Sequence, residues 1–106
     1  SIRSYGANSS IESGDGNDTV YSNGENVSVN AGTGDDSIDN YGENVSINAG
    51  GGNDILINGR YWESERGGAQ VTLNAGAGND NVYVDRVASV EVNAPSGDNF
   101  IYLWSK

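Results

Sequence analysis

The chain has 106 residues, 16 of them glycine, with no cysteine, no histidine and a formal net charge of −10 at pH 7. A chain of that size makes one domain with a marginal core, and no disulfide can staple it. The missing histidine excludes imidazole catalysis and most zinc or copper sites, while the acidic balance repels nucleic acid and anionic membrane and favours cations.

Only 35% of residues are hydrophobic, a composition that with this charge would suggest disorder. A strict internal repeat argues otherwise, because a disordered chain has no reason to keep apolar residues in register. No apolar run reaches membrane-spanning length, no signal peptide opens the chain, and its start at Ser1 without methionine suggests a processed product or a piece of something longer.

In chain order, a degraded half-repeat comes first, Gly6-Ala7-Asn8-Ser9-Ser10-Ile11-Glu12. A glycine phrase follows: Ser13-Gly14-Asp15-Gly16-Asn17-Asp18-Thr19-Val20-Tyr21. The two kinds of segment then alternate. Gly24-Glu25-Asn26-Val27-Ser28-Val29-Asn30 precedes Ala31-Gly32-Thr33-Gly34-Asp35-Asp36-Ser37-Ile38-Asp39. Gly42-Glu43-Asn44-Val45-Ser46-Ile47-Asn48 precedes Ala49-Gly50-Gly51-Gly52-Asn53-Asp54-Ile55-Leu56-Ile57. After an interruption, Gly68-Ala69-Gln70-Val71-Thr72-Leu73-Asn74 leads into Ala75-Gly76-Ala77-Gly78-Asn79-Asp80-Asn81-Val82-Tyr83. Last come Val87-Ala88-Ser89-Val90-Glu91-Val92-Asn93 and a worn copy, Ala94-Pro95-Ser96-Gly97-Asp98-Asn99-Phe100-Ile101-Tyr102. The equivalent glycines Gly16, Gly34, Gly52, Gly78 and Gly97 lie about 18, 18, 26 and 19 residues apart.

Both kinds of segment alternate with period 2, as a strand with one buried face does. Val27 and Val29 share a face, as do Val45 and Ile47, and Val71 and Leu73; Val20, Ile38, Leu56, Val82 and Ile101 form the opposing inward column. One coil is thus two short strands and two turns, and it cannot bury its apolar face alone. Stacking about five coils does so, which predicts an all-β chain, a parallel β-roll or β-solenoid with an 18-residue period, filling 1–106 as a single domain. Recurrent glycine and the Val, Ile, Thr and Tyr in strand positions leave no room for a helix. The long interval is an insertion at a turn over residues 59–67, polar, aromatic and bounded by glycines.

Glycines at alternate positions allow positive φ, so the carbonyls of a tight turn can converge, and the aspartate that follows adds a carboxylate. Calcium takes six to eight oxygen ligands in flexible geometry; magnesium's strict octahedron fits less well. Asp18, Asp36, Asp54 and Asp80 should line one edge at the strand spacing of about 4.8 Å. Bare carboxylates that close repel, and a cation between successive turns would make the repulsion a cross-link.

The glycine phrase resembles the nonapeptide G-G-x-G-x-D-x-U-x of the repeats-in-toxin (RTX), or hemolysin-type, calcium-binding family, over about residues 4–104. The resemblance implies a right-handed β-roll that folds after secretion as calcium becomes available. It implies Asp18, Asp36, Asp54 and Asp80 as side-chain ligands, with carbonyls around Gly14, Gly16, Gly32, Gly34, Gly50, Gly52, Gly76 and Gly78. The chain departs from the family pattern in its first position, which is Ser13, Ala31, Ala49, Ala75 or Ala94. It departs more in the second half-coil, where Val27, Val45 and Val71 stand where an aspartate would fall. Calcium is therefore expected along one edge only. Pro95 and Asn99 weaken or empty the fifth site, leaving about three to four ions.

Asn30, Asn48, Asn74 and Asn93 are expected to form a ladder of stacked amides, and Glu25 and Glu43 a solvated pair on the opposite turn. Phe100, Tyr102 and Trp104 should point outward from the last coil, with Ile101 continuing the core. They and the loop residues Tyr61 and Trp62 are the candidate partner contacts. The expected function is an extracellular, secreted or surface-borne, bacterial calcium-binding structural module that catalyses no reaction. The alternative is a filament or adhesin subunit stacked end to end, or a module joined to neighbouring domains. Two readings rank lower. Ice binding needs a flat Thr row, which Asp15, Thr33, Gly51, Ala77 and Ser96 break, and glycan binding would rest on Tyr61 and Trp62. Glu63 and Glu65 have no walled cleft that would make them a glycosidase pair.

Overall fold

The computed structural model describes residues 2–42, 44–59, 70–85 and 89–104. Within these residues eleven strands alternate between two parallel sheets. One sheet stacks β1 (Ile2–Ser4), β3 (Thr19–Ser22), β5 (Ser37–Asn40), β7 (Ile55–Asn58), β9 (Asn81–Asp85) and β11 (Phe100–Trp104) in that order. The other stacks β2 (Ser10–Glu12), β4 (Ser28–Asn30), β6 (Val45–Asn48), β8 (Gln70–Asn74) and β10 (Ser89–Asn93). This is the parallel β-solenoid that the repeat predicts. Partners are 18 residues apart in the early coils and 26 apart across the long interval, as in Asp36 to Asp54 and Asp54 to Asp80. The extra residues therefore fall between Asn58 and Gln70, and the register resumes without a slip. Tyr61, Trp62 and Glu43 lie outside the described residues.

The core is the contact of the two inner faces. Val20, Ile38, Leu56 and Val82 stack from one sheet; Val29, Ile47 and Leu73, flanked by Val27, Val45 and Val71, stack from the other, and all are buried. Ile101 departs from expectation. It pairs with Val82 and so keeps the column's register, yet it is 43% exposed, because β11 is the outermost strand of its sheet among the described residues.

A second inward column escaped the sequence reading: Ser22, Asn40 and Asn58 are fully or almost fully buried, with Val84 above them. The Asn40 side-chain amide donates to Asn58 Oδ1 at 2.7 Å, and Asn40 Oδ1 accepts from the Gly42 N–H at 3.1 Å. Buried polar groups need such partners, and these tie the strand end to the following corner. The expected ladder of Asn30, Asn48, Asn74 and Asn93 is in register but on the outer face. Its side-chain rung is Asn93 to Asn74 at 2.8 Å, while Asn30 and Asn48 are exposed. The corner before β4 and β6 turns on Asn26 and Asn44, and the corner before β2 on Asn8, at φ of 59°, 56° and 59°. Asparagine is among the few non-glycine residues that accept this left-handed conformation.

Phe100 and Tyr102 face outward, 52% and 49% exposed, with ring centroids 6.0 and 6.4 Å from Tyr83. Trp104 joins β11 through its backbone register with Asp85.

Candidate cation site

The glycine phrases stack on one edge, where Asp15, Thr33, Gly51 and Ala77 bridge in parallel from coil to coil. Gly14, Gly16, Gly32, Gly34, Gly50, Gly52, Gly76 and Gly78 all have positive φ. At Gly52 a second constraint acts: a Cβ there would lie 2.1 Å from the Gly34 carbonyl oxygen. Each turn sits on the carbonyls of the turn below, closer than any side chain allows. The carbonyls of Gly14, Gly32 and Gly50 accept ladder bonds from the N–H groups of Thr33, Gly51 and Ala77. A carbonyl has two lone pairs, so that bond leaves acceptor capacity.

Two side-chain ladders then run up the same edge in opposite senses. In the exposed one, Asn17, Asp35, Asn53 and Asn79 each offer Oδ1 to a backbone N–H of the coil above, at 2.7 to 2.9 Å. Asparagine and aspartate serve equally there because only an acceptor is used. In the inner one, Oδ1 of Asp36, Asp54 and Asp80 accepts from the N–H of Asp18, Asp36 and Asp54 in the coil below, at 2.8 to 2.9 Å. The sequence reading placed these aspartates together but did not see that their first oxygen is already engaged.

The second oxygen is the chemically telling one. Oδ2 of Asp18, Asp36, Asp54 and Asp80 is buried and has no hydrogen-bond partner among the described residues. The last three side chains are almost wholly inaccessible, at 2%, 0% and 1% exposure. Burial pushes the Asp54 carboxyl up to about 6, with the nearby Asp80 and Asp36 charges adding to the effect and the N–H bond from Asp36 opposing it. Burial likewise raises Asp36. Charge without a counterion in this column disfavours the fold.

Among the described residues no three Asp, Glu, His or Cys side chains converge on one point. Each of the first four coils supplies one carboxylate to the inner ladder, so an ion held there would take the rest of its oxygens from turn carbonyls. The opposite edge is apolar at the equivalent places, where Val27, Val45 and Val71 are buried. Buried, acceptor-only carboxylate oxygens left without a partner are donors for a hard cation, and the residues present fit one.

The fifth turn is built differently. Asn99 Oδ1 accepts from the Asp80 N–H at 2.8 Å, continuing the inner ladder. Its amide nitrogen donates to the Ser96 carbonyl at 2.9 Å and lies 3.5 Å from the Ala94 carbonyl.

Fold and edge together define a parallel β-solenoid repeat module with one edge lined by buried aspartates. Set against protein-family models, curated proteins and solved structures, the chain matches none of them.

Proposed function

We propose that the chain is an extracellular structural module whose fold is stabilised by calcium along the Asp18–Asp36–Asp54–Asp80 edge. The observation that carries this reading is the column of buried carboxylate oxygens without partners. When bound, a divalent cation supplies the positive charge this column lacks. The chain's own residues hold the geometry: the glycines let the turns nest, and an N–H of the coil below anchors Oδ1 of Asp36, Asp54 and Asp80 while Oδ2 is left to a cation. Oxygen-only donors of this kind favour calcium, and weak sites of this design suit the millimolar calcium outside cells. The resemblance to RTX repeats supports the same reading.

Thermal melts followed by circular dichroism, in EGTA and in millimolar calcium chloride, test it. The expected result is a large rise in Tm with calcium. Superimposable melts would end the proposal.

A second reading has its own support. Ile101 is left 43% exposed over the core column, and β10 and β11 end their sheets as open edges above it. Open strand edges invite a further coil, so end-to-end association of copies, as in a filament or adhesin subunit, is physically accessible. Light scattering at rising concentration in calcium decides it, and a monodisperse monomer removes it.

A further inference from the structure

We propose that Asn99 locks the fifth glycine turn by placing an amide donor where the turns below present an unpartnered carboxylate oxygen, so that this turn closes without a cation. Its calcium arm rests on the cation reading above; its calcium-free arm does not.

The ladder bond into Oδ1 is the same at all four levels, 2.8 to 2.9 Å from the N–H below to Asp36, Asp54, Asp80 and Asn99. Because the Asp80 N–H must meet an acceptor, the orientation of the Asn99 amide is fixed, with nitrogen on the far side. A carboxylate and a carboxamide are planar and nearly isosteric, so equal placement of Oδ1 puts the second atom in the same local position. In Asp36, Asp54 and Asp80 that atom is an oxygen with nothing to accept from. In Asn99 it is an NH2 that reaches the Ser96 carbonyl at 2.9 Å. The carbonyls of the turn thus ask for positive charge at this point, and the amide provides it without an ion.

Among the described strands β11 has a neighbour on one side only and leaves Ile101 43% exposed, so the bonds inside its own turn matter more for holding it. Neutral bonds inside its turn keep it closed whether or not cation is present.

The test compares wild type, Asn99→Asp, Asp54→Asn and Asp35→Asn by thermal melts in EGTA, and calcium uptake by titration calorimetry with calcium chloride. Asp35→Asn removes an exposed charge on the neighbouring ladder while keeping its acceptor, and so measures charge relief alone. In EGTA, Asn99→Asp should melt below wild type, and Asp54→Asn should melt above both wild type and Asp35→Asn. In calcium, Asn99→Asp should take up one more ion per chain than wild type and regain its lost Tm. An Asn99→Asp chain as stable as wild type in EGTA overturns the proposal. If that variant is unfolded in both buffers, Asp54→Asn decides, and no gain beyond Asp35→Asn overturns it. A wild type that binds no calcium defeats the cation reading, and the EGTA comparison still decides the role of Asn99.

Discussion

Gly51 and Gly52 are adjacent in the chain and opposite in tolerance. A Cβ at Gly51 meets nothing within 4 Å, whereas at Gly52, with φ of +115°, it would strike the Gly34 carbonyl at 2.1 Å. Gly52→Ala should therefore destabilise by about 2–3 kcal/mol, combining a left-handed backbone with a clash that only backbone movement relieves. Gly51→Ala should stay within about 0.5 kcal/mol of wild type. Urea denaturation of both variants checks the contrast; equal losses would mean the turns do not nest as described. The aspartates give a second prediction at this scale. Asp54 has its carboxyl raised from 3.8 to about 6, and Asp36 is raised in the same direction. Between those values the folded, cation-free chain binds more protons than the unfolded one, so stability is full below 3.8 and is lost as pH rises through about 6. In EGTA, Tm should fall on going from pH 4 to pH 7. In calcium the trend should reverse, since ionised carboxylates are then the favoured form; a Tm in EGTA that rises over the same range would contradict the burial of this column.

Within one strand column, position along the stack decides what a side chain is worth. Leu56 is fully buried between Ile38 and Val82, while Ile101, in the same register, is 43% exposed. Leu56→Ala should cost about 2–5 kcal/mol and Ile101→Ala under about 1 kcal/mol, read as a difference in urea midpoints. Period-2 alternation made the strands, the two inner faces and the aspartate edge legible, because alternation and spacing are properties of one coil repeated. What the sequence hid depends on the neighbouring coil or on the end of the stack. Asn40 and Asn58 carry no apolar signal in the sequence and are core, because each finds its partner 18 residues away. Asn30 and Asn48 look like a ladder and face solvent instead. Asn99 read as a worn aspartate. Only its contact with the Ser96 carbonyl shows that it completes the turn.

In a solenoid each coil contacts only its neighbours, so stability is close to a sum of coil terms and interface terms. The inner carboxylate ladder lies on those interfaces: Asp54 accepts from Asp36 below and donates its N–H to Asp80 above. Ions held along this edge would act on the terms that decide whether coils stay together. Sites with Kd of about 10–100 μM would each add roughly 1.4–2.7 kcal/mol at millimolar calcium, so about three would add 4–8 kcal/mol. A domain of this size has about 5–15 kcal/mol in total, so a calcium term of that size would decide whether the chain is mostly folded. Urea unfolding in EGTA and in 1 mM calcium should differ by that amount. Asp54→Asn should shrink the difference by at least one site's share, because it removes the charge at the most deeply buried level. A calcium increment under about 1 kcal/mol in wild type, or one untouched by Asp54→Asn, would mean that the stack is held by its apolar column and backbone ladders, and that the carboxylate edge is incidental to it.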